Sequence, residues 1–182
     1  MRGEVVLLTR NIRIVGNDSE NWGCQFLTGD FVEADGTLRF GTTIIDNVEV
    51  YNCSQYDTFK AAIRFDGANG AWSKVSNTAI HHGSGFGITI AGSANVIIEN
   101  STVFDFVKYG VNIMTSKNIT IDGNWVIGVY SRHLTTANMG DPMGGILGCA
   151  DKVGDKCFGI KVINNIVAGI EGSVVDVAGY SN

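Results

Sequence analysis

The chain has 182 residues, of which 45% are hydrophobic and 17% charged, enough to bury a core and too apolar for a disordered segment. Thirteen basic against 18 acidic residues leave a net charge of -5, which argues against a nucleic-acid surface, because phosphate recognition wants a basic stripe. No apolar run approaches the ~18 residues of a membrane span. Val5–Leu8, broken by Thr9-Arg10-Asn11, is too short for the core of an export signal, so the chain is expected to carry neither span nor signal. Glycine is abundant at 24 and proline nearly absent at 1, so the bends are expected to use Gly, Asn, Asp and Ser.

In chain order, the first strand-like run ends at Ile14-Val15-Gly16, and it returns as Val50-Tyr51-Asn52 after 36 residues, implying an insertion over 17–36. Val50-Tyr51-Asn52 aligns with Val75-Ser76-Asn77 at an offset of 25, and Ala62–Phe65 aligns with Gly87–Ile90 at the same offset. From there the offset settles at 23. Val75–Ile80 matches Ile98–Val103, Phe86–Ile90 matches Tyr109–Ile113, Asn95–Ile98 matches Asn118–Ile121, and Val103 falls on Val126. Asn124–Gly128 reappears as Asn165–Gly169 after 41 residues, one period plus an insertion of 18 between Ser131 and Phe158.

Each repeat holds short alternating apolar runs such as Val48/Val50, Val96/Ile98, Val111/Ile113, Ile119/Ile121 and Ile160/Val162. A period of two marks strands with one buried face. Strands this short are not stable alone, but stacked coils pair every backbone group with the coils above and below and join the buried faces. The predicted fold is all-β, a right-handed parallel β-helix of about six coils of ~23 residues with insertions, forming a rod of ~29 Å. Residues 1–182 are expected to be a single β-helix segment of a larger multidomain protein.

The alignment places Asn52, Asn77, Asn100 and Asn164 at one bend, with Gly16 and Gly123 replacing them in other coils. Asn tolerates left-handed backbone and can pass its amide to the next coil, so these residues are expected to form a structural asparagine ladder. The same alignment stacks Asp57, His82 and Asp105 on consecutive coils, ~5 Å apart step by step. A histidine between two carboxylates suits a proton shuttle, and two carboxylates ~10 Å apart come near the spacing of inverting glycosidases. The competing reading is a solvent-facing row in which the alternating charges relieve repulsion.

The 131–157 insertion carries Arg132, His133, Asp141, Asp151 and Asp155, and a long loop on a rigid scaffold is a common place for function. Cys149 and Cys157 flank seven residues that include Gly154, which is enough to turn the chain back for a disulfide. The spacing is not that of a metal pair, and no metal site is expected. With Cys24 and Cys53 the count is four, and an even count gives weak support to an oxidising compartment; four buried thiols is the alternative. Asn17, Asn52, Asn100 and Asn118 head glycosylation acceptor triplets, and Asn17, lying in an insertion, is the best candidate. No phosphate loop and no nucleophile elbow is present, and no cofactor is expected. Trp22, Trp72 and Trp125 do not align on one coil position and make no evident sugar platform.

Several of these segments resemble one family. Glu4–Gly16, with its Leu-Thr-Arg-Asn-Ile core, resembles the strand that follows the G8 domain in the fibrocystin and fibrocystin-L family. Val75–Thr89, with Ala79-Ile80-His81-His82-Gly83, resembles that family's β-helix (PbH1) repeats, which have relatives in transmembrane protein 2 and the cell-migration-inducing hyaluronidase. Asn164–Gly169 resembles a later coil of fibrocystin-L, whereas the 131–157 insertion is poorly matched. The resemblance implies an extracellular β-helix within a very large, membrane-anchored cell-surface protein of receptor, coat or adhesion type. It implies protein or glycan partners and no catalysis. The hyaluronidase branch implies the alternative, a glycan-depolymerising hydrolase or lyase using Asp57, His82 and Asp105. The motifs of the pectin-degrading β-helix enzymes are missing: Gly159-Ile160-Lys161, for example, lacks the arginine of their Arg-Ile-Lys site.

Overall fold

The computed structural model describes residues 10–17, 23–56, 58–130, 144–149, 156–171 and 173–177. The first coil contains β1 (Ile12–Val15), β2 (Phe26–Thr28) and, after a projecting hairpin of β3 (Phe31–Val32) and β4 (Leu38–Arg39), β5 (Ile44–Asp46). The second contains β6 (Val48–Tyr51), β7 (Ile63–Asp66) and β8 (Ser73–Ser76), and the third β9 (Ala79–His81), β10 (Ile88–Ala91) and β11 (Ala94–Glu99). The fourth is β12 (Thr102–Phe106), β13 (Tyr109–Met114) and β14 (Lys117–Asp122), and the fifth β15 (Trp125–Val129), β16 (Gly144–Gly148) and β17 (Phe158–Ile163). The sixth begins with β18 (Ile166–Ile170) and β19 (Ser173–Val177).

Equivalent strands of successive coils pair in parallel, giving three sheets: β1-β6-β9-β12-β15-β18, β2-β7-β10-β13-β16-β19 and β5-β8-β11-β14-β17. This is the stacked parallel β-helix that the repeat predicts. The core follows from the alternation: Val50, Ile80, Val103 and Val126 point inward from the first sheet, Ile63, Ile88, Val111 and Ile146 from the second, and Val75, Ile98 and Ile121 from the third. Nearly all are fully buried, each worth ~1.5–3 kcal/mol relative to exposure.

The offsets of 36, 23 and 41 reappear as Ile14↔Val50, Ile98↔Ile121 and Val126↔Val167. The offset of 25 holds for the second sheet, where Ile63 pairs with Ile88. It fails for the first: Val50 pairs with Ile80, not Val75, and Val75 pairs with Ile45. The cause is chemical. Two different corners end in the same kind of sequence, a strand followed by a left-handed Asn. After the first sheet the corner column is Asn52, His82, Asp105, Gly128 and Gly169. After the third it is Asn47, Asn77, Asn100, Gly123 and Asn164. All of these have φ between 47° and 67°. A sequence match between Asn52 and Asn77 joined two separate corners.

Just past the corners, polar side chains turn inward and carry the backbone from coil to coil. Thr78 N–H donates to Ser101 Oγ (3.1 Å), Ser101 N–H to Asn124 Oδ1 (3.0 Å) and Asn124 N–H to Asn165 Oδ1 (2.8 Å). At a second corner Ala68 N–H donates to Ser93 Oγ, Ser93 N–H to Ser116 Oγ and Ser116 N–H to Cys157 Sγ. These columns satisfy buried amides where the strands end, as buried polar groups require. Disulfides join Cys24 to Cys53 and Cys149 to Cys157.

Candidate functional site

Because Val50, Ile80 and Val103 point inward, their neighbours Glu49, Tyr51, His81 and Phe104 lie on the outer face of the first sheet. Register puts Tyr51, His81 and Phe104 in one row. The corner then adds His82 and Asp105 beside that row, both in left-handed backbone. Glu49 and His81 face outward and are nevertheless buried, at 2% and 5% exposure, whereas the His82 side chain is 41% exposed.

These groups form a continuous line. Arg13 Nε donates to Glu49 Oε1 at 2.7 Å, and its guanidinium lies 4.6 Å from the centroid of the Tyr51 ring. Glu49 Oε1 is 3.4 Å from His81 Nε2. The two histidines meet through Nδ1 and Nδ1 at 2.7 Å. His82 Nε2 faces Asp105 Oδ2 at 3.8 Å. The imidazoles are held by aromatic rings: Tyr51 meets both, at 5.3 and 5.4 Å, and Phe104 meets His82 at 5.4 Å. Chemically, this is an imidazole pair with a carboxylate at each end, one end closed off and the other open.

Of the sequence candidates, His82 and Asp105 are brought together on adjacent coils. Asp57 lies outside the described residues, and the corner position below His82 belongs to Asn52, whose N–H donates to His81 O at 3.0 Å. Glu49, His81 and Arg13 were missed. A glutamate in an otherwise apolar alternating run and a His-His doublet were the available signals, but burial on an outward face has no sequence signature.

Of the ladder candidates, Asn77, Asn100 and Asn164 share one corner column and Asn52 stands in another. Asn77 Nδ2 donates to Asp46 Oδ1 and Asn164 Nδ2 to Asp122 Oδ1, both at 2.9 Å, and Asn52 Nδ2 to Gly16 O at 3.3 Å. Direct amide-to-amide steps occur instead from Asn118 Nδ2 to Asn95 Oδ1, at 3.2 Å, and from Asn124 Nδ2 to Asn165 Oδ1, at 3.0 Å. Asn17 is exposed, while Cys149 and Cys157 are buried. Among the described residues no group of three or more His, Cys, Asp or Glu is placed to hold a metal ion. No described helix is long and apolar enough to cross a membrane.

Two carboxyls among the described residues are held low. Hydrogen bonds from Ser76 and then Asn77 hold Asp46 below its usual range, and the Thr37 backbone amide does the same for Asp35.

Comparison with known proteins agrees with this architecture. The family model for the right handed beta helix region matches residues 10–182. Mouse fibrocystin is 31% identical over 130 residues, covering 70% of this chain and 3% of that protein. Human fibrocystin-L is 29% identical over 142 residues, covering 69% of this chain and 3% of that protein. The chain therefore spans about 3% of the length of these relatives. No solved structure matches. On its repeat, its three parallel sheets and the family match across nearly all of its length, the chain belongs to the family of right-handed β-helix regions.

Proposed function

We propose that this chain is a non-catalytic extracellular module of a large cell-surface receptor, coat or adhesion protein, offering the sides of its rod to protein or glycan partners. The observation that carries the reading is the likeness to fibrocystin and fibrocystin-L over about 70% of the chain. Two disulfides support the compartment, since such bonds persist in oxidising surroundings. Stacked coils supply a long rigid surface at low sequence cost, which suits display. The glycosylation candidate Asn17 is exposed on this surface.

A glycan-depolymerising function is the second reading, and it is favoured by one observation: half-exposed His82 lies 3.8 Å from the Asp105 carboxylate on a surface bearing Tyr51 and Phe104. An oriented imidazole of that kind can act as an acid or base. The two readings separate on incubation of the chain with hyaluronan and other acidic glycans, with and without divalent metal. The glycans are expected to keep their length. Shortening that disappears in His82→Ala would overturn the non-catalytic reading.

A further inference from the structure

Four asparagines head acceptor triplets for N-linked sugar, and the fold gives them different surroundings. Transfer takes place on the unfolded chain, so the folded structure decides which modified asparagines it can hold. Asn100, of Asn100-Ser101-Thr102, is exposed at the corner that follows β11. Its backbone is left-handed, with φ 47°, and its amide oxygen lies over Gly123 of the next coil, where a Cβ would come within 2.9 Å. No protein group among the described residues accepts a hydrogen bond from its nitrogen. Asn118, of Asn118-Ile119-Thr120, repeats the arrangement near the start of β14: it is exposed, has φ 55°, and sets its amide oxygen over Gly159 at the same 2.9 Å. Its nitrogen donates to Asn95 Oδ1 at 3.2 Å. An amide nitrogen has two hydrogens and a glycan takes one, so that bond and a glycan are compatible. Asn52 differs. It is half-buried, its nitrogen donates back to Gly16 O at 3.3 Å, and the adjoining Cys53 is 1% exposed and bridged to Cys24.

Register gives the two exposed sites a common face. The pairs Ala94↔Lys117 and Val96↔Ile119 put Asn118 beside Asn95, five residues before Asn100. Asn118 and Asn100 therefore stand on adjacent coils at opposite edges of the third sheet, about 17 Å apart along the strand direction. Between them lies the sheet's outer face, with Lys74, Ile97, Thr120 and Lys161 in one row. An N-linked oligosaccharide is bulky and strongly hydrated. We propose that Asn100 and Asn118 carry N-linked oligosaccharides that cover the outer face of the third sheet, leaving the sides formed by the first and second sheets open to partners in the middle coils. Asn17 follows β1 in the first coil and leaves those middle coils open whether modified or not. The proposal deepens the reading of the chain as an extracellular display module and rests on it.

The reaction is a group transfer from a lipid-linked oligosaccharide diphosphate, the class of donor used by transferases of the export route. The amide nitrogen bonds to the anomeric carbon, the bond from that carbon to the diphosphate oxygen breaks, and the amide releases one proton. The hydroxyls of Thr102 and Thr120 complete the two triplets during transfer. After folding Thr102 is buried in β12 and Thr120 is half-buried in β14, which is no obstacle, because the hydroxyls are needed only before the strands form. Gly123 and Gly159 then seat the amide oxygens against the next coil and leave each nitrogen turned away from it.

The test uses the 182-residue chain behind an added export signal in a eukaryotic host. Enzymatic release of the glycans in heavy-oxygen water turns each modified asparagine into a labelled aspartate, which peptide mass spectrometry locates. Label is expected at Asn100 and at Asn118. Thr102→Ala and Thr120→Ala, which keep the asparagines, are each expected to remove one glycan, read as one step in gel mobility. The cover is read by lysine acylation. Lys74 and Lys161 are expected to react several-fold faster after glycan release, and Lys60 and Lys108, which lie between the first and second sheets, at an unchanged rate. Either asparagine bare in the exported protein overturns the proposal, and so do equal rates at Lys74 and Lys161 before and after release. Thiol counting on the same sample keeps the two readings apart. Bare asparagines with both disulfides formed overturn the glycan sites alone, whereas bare asparagines with free cysteines overturn the extracellular reading as well.

Discussion

The first coil and the third and fourth coils use the same residue types to different effect. In the third and fourth, Ile88, Ile90, Val96, Ile98, Val111, Ile113, Ile119 and Ile121 are all 0% exposed. In the first, of the residues in register with inward ones, Ile12 is 60% exposed, Ile14 and Phe26 are half-buried and Ile45 is buried. The difference is position in the stack. The middle strands have a coil on either side, whereas β1, β2 and β5 are the ends of their sheets among the described residues. A β-helix coil borrows both its hydrogen bonds and its core from its neighbours, so identical chemistry stabilises the middle more than the end.

The largest effect should come from the core of the middle coils. Ile98→Ala is expected to cost about 2–5 kcal/mol through lost burial and a cavity. Ile12→Ala, on the inward register of the end strand, should stay within about 0.5 kcal/mol. Equal shifts in chemical denaturation would break the comparison. The disulfides come next, because each ties a different part of the stack. Chain entropy predicts about 3.5 kcal/mol for closing the 29-residue separation of Cys24–Cys53 and about 2.5 kcal/mol for the separation of 8 in Cys149–Cys157. Thiol counting on unfolded, unreduced protein from an oxidising host should find none free. Paired Cys→Ser variants then rank the two bonds, and a larger loss at Cys149–Cys157 would show that the first coil is not held by its bridge.

The asparagines sharpen the contrast within a single coil. Asn124 is buried, accepts from Ser101 N–H and donates to Ile98 O and Asn165 Oδ1. Asn124→Leu should destabilise by about 1–3 kcal/mol, because it leaves buried backbone groups unpaired. Asn77 is left-handed and its amide reaches the exposed Asp46 carboxylate, so Asn77→Gly, which removes the amide without backbone strain, should lose about 0.5–1 kcal/mol. Denaturation curves for the two variants decide the order, and a larger loss at Asn77 would place the main ladder at the corner.

How much of this was legible follows from the period. Where coils are 23 residues apart, Ile98 found Ile121 and Val103 found Val126 without error. Where loop lengths vary, local resemblance misled, because Asn52 and Asn77 answer the same backbone demand at different corners. That slip hid Asn52 as the residue below His82. His82 and Asp105 lie on adjacent coils, a step on the regular side of the repeat. Glu49 reaches the site through a 30-residue offset between the second and third coils, which no repeat in the sequence marks. The buried column of Ser101, Asn124 and Asn165 was hidden for another reason: serine and asparagine after a bend read as turn chemistry whether they point outward or inward.

The smallest effect lies on the seam between the first coil and the rest. Asp46 ends β5, and its Oδ1 accepts from Ser76 Oγ and Asn77 Nδ2, both in the next coil. These bonds, that from Ser76 foremost, hold its carboxyl below the usual range. A depressed carboxyl in the folded state contributes stability that is present above the unfolded value of ~3.9 and is lost as pH falls through the lower folded value. The seam should therefore loosen only in strong acid, without disturbing the middle coils. Ser76→Ala should bring the Asp46 carboxyl back toward its ordinary titration, with Asn77 keeping part of the shift. Carboxyl-carbon NMR across pH 2 to 6 reads this directly. An Asp46 that titrates identically in the variant and the parent would mean that the Ser76 hydrogen bond contributes nothing to this seam.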